Sequence, residues 1–521
     1  MKAVLEKKSI LKKTLEVGGN TFVSRIFGLA REILLMRYLG IGALADGFTT
    51  AFMLPNSLRK IFAEGALTAA FIPSFITIFK KEGKQQANSL TTLSFLVFES
   101  ILLVFCALIM WKAHATIRFI TPGYSESQII AAVPALRILM PFIFFVSTSA
   151  LLAGALHSVH HFFVPAFSPV LLNAVFIGAL IICTQNLLPV EYLCWAILLG
   201  GLAQCLLHVF AYFREGFSFE WWNAKTLYYF SHIMGKFFLC FLSMSVMEVN
   251  LFIDQRFASF LEVGSVTLLK YSNRFMGIPL GVFAVAFSTI LLPHFTRLKM
   301  EKPEELNFYL IESVKLVFWV TIPAAILMGY FSSEIFQTLF ASVSSNFPAD
   351  RVFEAGTILI GFLMGLCFFS LNKILFSLFY AFHDTKYPTI ISVIATSFNI
   401  VGNYYLVGTF GGFGLAFATS LSGALQTSLA LLFLKKQHDL SLNYYEVGGF
   451  LARYVLQVAV FLVPFYCLFP LCYRWAQRLP YAYFFTKSFG FWLWVGPLCL
   501  LFVALLYLSR RMCGIKLYFL D

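Results

Sequence analysis

About fourteen apolar runs, each long enough to cross a bilayer, follow one another along this chain between residues 20 and 509, a crossing of roughly 30 Å taking about 20 helical residues. The runs are continuous, whereas strands of a membrane barrel would alternate apolar and polar positions. They therefore predict helices, which satisfy their own backbone hydrogen bonds where lipid offers none. Composition agrees: 60% of the residues are hydrophobic and 12% are charged, against about 25% charged in soluble domains. The expected fold is an all-α polytopic membrane protein with no polar block long enough for a separate soluble domain.

The formal charge of +13 would suit nucleic acid in a soluble chain. Here its placement follows topology instead. With the first span starting inside, cytoplasmic loops hold about 20 Lys and Arg against about 7 outside, including Lys80, Lys81, Lys84, Arg297, Lys299, Lys435 and Lys436. An even number of spans then puts both termini in the cytoplasm. The loop carrying Arg474, Arg478 and Lys487 runs against this rule. The basic N-terminus lacks the apolar core and small-residue cleavage site of a removable signal. Ten cysteines without a C-x-x-C pair read as apolar fillers rather than a zinc site or a disulfide framework.

The chain also repeats itself. "LGGLAQCLLHVFAYFR" at 199–214 aligns with "LSGALQTSLALLFLKK" at 421–436, pairing Gly201 with Gly423 and Gln204 with Gln426. The same offset of about 222 residues, within about four, pairs Ala155 and His157 with Ala381 and His383, Pro165 with Pro388, and Asn173 with Asn399. Equivalent positions are separated by an even number of spans, so the halves share one orientation. The reading is two parallel six-helix lobes, 1–220 and 221–440, followed by two extra helices in 441–521. Repeats of this kind are a transporter plan, with the substrate site near the membrane midplane.

Charges inside the spans point to the substrate. "SRIFGLAREILLMRYLG" places Arg25, Arg31, Glu32 and Arg37 in an apolar run, and Asp46, Arg59, Lys60, Glu64, Asp254, Arg256 and Arg274 follow in or beside later spans. An arginine at mid-helix costs about 2.5–3.5 kcal/mol on insertion scales. Pairing with Glu32 and Glu64, as counter-ions that lock helices together, is the structural explanation. It leaves Arg25, Arg31, Arg59, Lys60 and Arg274 facing only Glu32, Asp46 and Glu64. Surplus guanidinium in a membrane asks for an anionic ligand, and its planar fork suits phosphate oxygens.

"SRIFGLARE", "ALADGFTTAFMLPNSLRKIFAEGALTAAFIPSF", "TPGYS", "VPAFSPVLLN", "YSNRFMGIPLGVFAVAFSTILLP" and "HDTKYPT" resemble the MurJ (MviN) family of lipid II flippases, in the multidrug/oligosaccharidyl-lipid/polysaccharide exporter superfamily. The resemblance runs from about residue 15 to 440. It implies a bacterial inner-membrane carrier, not an enzyme, that moves the undecaprenyl-pyrophosphate-linked peptidoglycan precursor lipid II to the outer leaflet by alternating access. It places the substrate site at Arg25, Arg31, Arg59 and Arg274, with acidic positions at Asp46 and Glu64. Glu32 stands where members often have aspartate, and Gly277 where some have glutamate. Some members hold a sodium ion at positions corresponding to Asp254, Asn399, Asn403, Leu415 and Thr419, with Asn403 replacing an acidic ligand. The partners implied are lipid II, membrane lipids and cell-wall synthesis proteins, with no nucleic acid and no organic cofactor.

On this reading the diphosphate docks on the arginines, the sugar and peptide fill a hydrated cavity between the lobes, and the prenyl tail follows a groove made by the last two helices. An organic-cation antiporter of the same superfamily would favour an acidic cavity. A flippase for another polyprenyl-linked sugar would need the same arginines. A metal-dependent enzyme would draw on "HSVHH" at 157–161 or on His383 beside Asp384, residues expected in cytoplasmic loops where histidines are commonly solvated. No phosphate-binding G-x-x-x-x-G-K-[ST] loop is present to drive transport with ATP.

Overall fold

Prolines and glycines set where these helices bend. The computed structural model describes residues 27–344 and 347–520, except the side chains of Ala63, Glu64, Ala69, Leu239, Ser243, Val246 and Met247. Among these residues every regular element is helical. Ten stretches of the described residues are long and apolar enough to cross a membrane. Two of them turn at a glycine: Thr68–Trp111 at Gly83 (φ 86°, ψ 179°) and Lys386–His438 at Gly411 (φ 55°, ψ −134°), backbone angles that a side chain would strain. Ala224–Ala258 occupies the expected seventh span, and a helix over 27–39 continues the expected first.

Two compact units divide the chain. The first is Ala30–Thr267, so it runs past residue 220 and includes Ala224–Ala258. That helix packs Phe237 on Phe98 and Phe62, with ring centroids 4.8 and 5.1 Å apart. Its start is fixed by Asn223, whose side chain accepts from the Thr226 amide at 2.9 Å, a capping arrangement that satisfies a donor the helix cannot.

The second unit comprises Leu268–Asp521 and, among the described residues, 27–29. Its core gathers Phe287, Leu291, Phe295, Leu310, Leu375 and Leu378. The two terminal helices, Tyr444–Arg478 and Phe491–Ser509, pack against Leu306–Tyr330 through Tyr454, Phe491, Val495 and Phe331. Buried Lys315 ties them in, donating to Glu312 at 2.7 Å and Glu446 at 2.6 Å. The tail returns to the same place, with Phe519 stacked edge-on to Phe287 at 5.5 Å and the Tyr518 amide donating to Glu312 at 2.9 Å.

The internal repeat is written in the backbone. Left-handed residues recur at the repeat offset: His160 and His383 (φ 60° and 59°), Leu187 and Gly411 (51° and 55°), Gly216 and Asp439 (74° and 54°). The true partner of His383 is thus His160 rather than His157, within the tolerance of the sequence alignment. Each unit also carries a π-helical segment bracketed by prolines, Arg59–Leu67 between Pro55 and Pro73, and Leu280–Val285 between Pro279 and Pro293. Proline removes a helical hydrogen bond, and the wider π turn absorbs the resulting change of phase.

One imidazole–carboxylate contact is repeated with its partners exchanged. His161 Nδ1 lies 2.9 Å from Glu215 Oε1 in the first unit. At the same offset Asp384 replaces His161 and His438 replaces Glu215, with His438 Nε2 3.3 Å from Asp384 Oδ2. The repeat keeps the contact and not the identity of its acid and base.

Candidate functional site

The charged residues of the spans fall into separate environments. Arg25 lies outside the described residues, and Glu64 sits in the Arg59–Leu67 segment with its side chain outside them. Arg31, on the helix over 27–39, donates through Nη1 to Asn173 Oδ1 and through Nη2 to Glu32 Oε1, both at 3.0 Å. Its guanidinium lies 5.0 Å from the centroid of the Phe176 ring, at cation–π distance. Glu32 is buried. The counter-ion explanation therefore holds for this pair, while Asn173 and Phe176 fix the plane of the fork.

Arg59 opens the π segment and donates to Asn56 Oδ1 from Nε at 3.3 Å and Nη2 at 3.1 Å. Its neighbour Lys60 donates to Glu248 at 3.2 Å. Glu248, on Ala224–Ala258, is a counter-ion that the charge pattern of the sequence does not single out, and it removes Lys60 from the surplus.

Asp46 has a different occupation. Its Oδ2 accepts from the Gly264 amide at 2.6 Å, and Oδ1 accepts from the Thr267 amide and hydroxyl at 2.9 and 2.6 Å. A buried carboxylate is thus spent on the first turn of Ser265–Pro279, where a helix start presents unsatisfied amides and the positive end of its dipole.

In the second unit Arg274 is exposed, and a Cβ built on Gly28 would stand 2.6 Å from its Nη2. The glycine of "SRIFGLARE" therefore marks a close approach by a guanidinium. The same unit gathers four of the five residues implied for sodium. The Asn403 amide donates to Asn399 Oδ1 at 3.0 Å, the Asn399 amide to Thr419 Oγ1 at 3.2 Å, and the Thr419 hydroxyl to the Leu415 carbonyl at 3.0 Å. Asn399 and Asn403 are fully buried, and oxygens of this kind suit a hard cation. Asp254, the fifth, is half-buried in the first unit.

An apolar cavity of about 420 Å³ opens among the last helices, lined by Trp319, Leu327, Phe331, Tyr454, Trp492 and Cys499. Its walls come from Leu306–Tyr330 and from the two terminal helices.

A model of the lipid II flippase MurJ family matches residues 35–486. The chain belongs to the MurJ family. A probable lipid II flippase MurJ of Rhizobium tropici is 32% identical over 425 residues, 80% of this chain and 79% of that protein. The lipid II flippase MurJ of Burkholderia cenocepacia is 30% identical over 438 residues, 82% of this chain and 84% of its own. A lipid II flippase MurJ solved in an inward closed conformation superposes with a TM-score of 0.78 at 23% identity, covering 96% of this chain and 99% of that one. An inward-facing multidrug transporter of the MATE family, in the MOP superfamily, gives 0.68 at 14% identity over 79% and 93%. The two solved structures extend the likeness in fold across both repeats and, for MurJ, into the terminal helices. This member is a polytopic membrane protein of a transporter family.

Proposed function

We propose that this chain is a lipid II flippase of the bacterial inner membrane, with both termini cytoplasmic, carrying the precursor from the cytoplasmic to the outer leaflet by alternating access. The observation that carries the reading is the MurJ family match across both repeats, with guanidinium groups on membrane helices at Arg31, Arg59 and Arg274. These arginines, with Arg25, take up the pyrophosphate. Bidentate guanidinium contacts neutralise a charge that hydrocarbon will not accept. Asn173 and Glu32 hold the Arg31 fork in place, so less ordering is needed when the ligand arrives.

The prenyl tail, which stays in apolar surroundings, occupies the cavity lined by Trp319, Phe331 and Trp492. A sodium ion among Asn399, Asn403, Thr419 and the Leu415 carbonyl would stabilise the second repeat in one state of the cycle. With an interior-negative potential, outward movement of an anion is favoured by about 2.3 kcal/mol per charge per 100 mV. No covalent bond of the substrate changes. Depletion of the protein from its bacterium tests the assignment: lipid II should accumulate and stay inaccessible from outside the inner membrane. Accumulation of another polyprenyl-linked sugar, with lipid II still reaching the outer leaflet, would overturn it.

A further inference from the structure

Glu99 has no role in the site above. It stands in "FLVFESILLVF", the third expected span at 90–112, close to mid-membrane, and is 4% exposed. Oε1 accepts from the Thr148 hydroxyl at 3.1 Å, while Oε2 has no hydrogen-bond partner among the described residues. The Ser147 hydroxyl lies alongside. Three helices surround the carboxyl: its own, Thr68–Trp111; Phe142–Ser158, with Ser147 and Thr148; and Val190–Arg214, with Cys205. The titratable groups that face it among the described residues are the thiols of Cys106 and Cys205, and no cationic side chain bonds to it.

The repeat shows that this node can be built without an acid. At the same offset the second unit has Thr321 for Glu99, Ser370 for Ser147 and Thr427 for Cys205. Thr321 satisfies itself on the Val317 carbonyl at 2.7 Å. A carboxylate without a counter-charge is among the most costly groups a membrane interior can hold. An acid kept where a threonine serves in the other repeat has chemistry to do.

We propose that Glu99 is a proton-binding site of the first repeat, which couples proton movement to the transport cycle. The proton rests on Oε2 while Thr148 donates to Oε1, so the carboxyl enters the apolar interior neutral. It leaves as a hydrated proton when that interior opens to water. The coupling rests on the flippase reading, whereas occupancy by a proton does not.

Two measurements on the full chain separate them. Infrared difference spectra in nanodiscs at neutral pH should contain the carbonyl stretch of a protonated carboxyl that Glu99→Gln removes. In proteoliposomes, lipid II flipping by the wild type should change with an imposed pH gradient, and Glu99→Gln should flip without that response. A carbonyl band absent from the wild type, unchanged in the variant, or abolished by added sodium overturns the site. A variant that keeps the wild-type response to the gradient overturns the coupling. Failure of the wild type to flip lipid II at all would strike the assigned function and leave the spectroscopic result standing. Glu99→Thr, the residue of the second repeat, serves in both assays if Glu99→Gln does not fold.

Discussion

Arg31 and Arg274 are held in different ways, and substitutions should separate them. Arg31 has two neutral or charged oxygens and an aromatic face around it, an arrangement that uses the planar fork. Arg31→Lys keeps the charge but loses the planar fork, which reaches two partners in one plane and lies over the Phe176 ring. It should therefore fall well below the wild type in complementing loss of the flippase while inserting at normal levels, and full complementation would show that the fork is not needed. For Arg274 the probe is Gly28→Ala. The added methyl meets Nη2 at 2.6 Å, and because that atom ends a flexible side chain, the guanidinium moves instead of the helix. If Arg274 binds the pyrophosphate as proposed, displacing it costs transport more than stability: roughly tenfold slower flipping is expected, from the sensitivity of bound geometry to ångström shifts, with an unchanged melting temperature in detergent. Part of this was legible, since arginines inside apolar runs stand out in the sequence, whereas the close approach at Gly28 depends on the placement of Arg274. The role of Asp46 was not, because its backbone partners Gly264 and Thr267 lie more than two hundred residues away and carry no side-chain signature of a helix start. Glu248 and Glu99 are visible as lone acids in apolar runs, but only coordinates tell that the first has a lysine and the second does not.

Helices and their connections bear the repeat more faithfully than their residues do. His161–Glu215 and Asp384–His438 fulfil one contact with opposite polarity, which predicts that the double exchange His161→Glu with Glu215→His behaves like the wild type. Each single exchange sets like charges or two imidazoles together. At partial exposure the loss should be within about 1 kcal/mol, read as a lower melting temperature that the double exchange restores; no restoration would mean that the pairs are not equivalent. The kinked connection at Gly83 gives a pH prediction. Hydrogen bonds from Lys225 and then Tyr229 hold the Glu82 carboxyl below its usual range. Its folded value is therefore the lower one, so this tie is complete above the unfolded value and is lost as pH falls through the folded value. Proteolysis at residues 80–86 should increase on acidification, and Glu82→Gln should cleave at the acid rate already at neutral pH. Sequence spacing gave the offset of these elements, but π segments between prolines and left-handed histidines depend on backbone angles that no residue pattern here announces.

For the molecule as a whole, fold and function meet in two demands that one lipid makes, a charged head needing guanidinium and a long apolar tail needing a dry channel. On the proposed reading the cavity beside Trp319 and Phe331 meets the second, and Ala324→Trp, which fills it, should slow flipping without unfolding the protein; flipping at the wild-type rate would remove the tail from that cavity. The apolar runs made the membrane class and the repeat readable from the start. The cavity itself was not readable, since aromatic residues at helical spacing describe a packed core as well as a hollow one. On the proposed reading, arginines carry a pyrophosphate lipid across the bilayer. Purified protein in liposomes containing labelled lipid II, followed by loss of label accessible to a membrane-impermeant quencher, measures it directly. Wild-type protein should move lipid II between leaflets at a rate that Arg31→Ala and Arg274→Ala each abolish, with both variants correctly inserted; equal rates for all three would contradict the account.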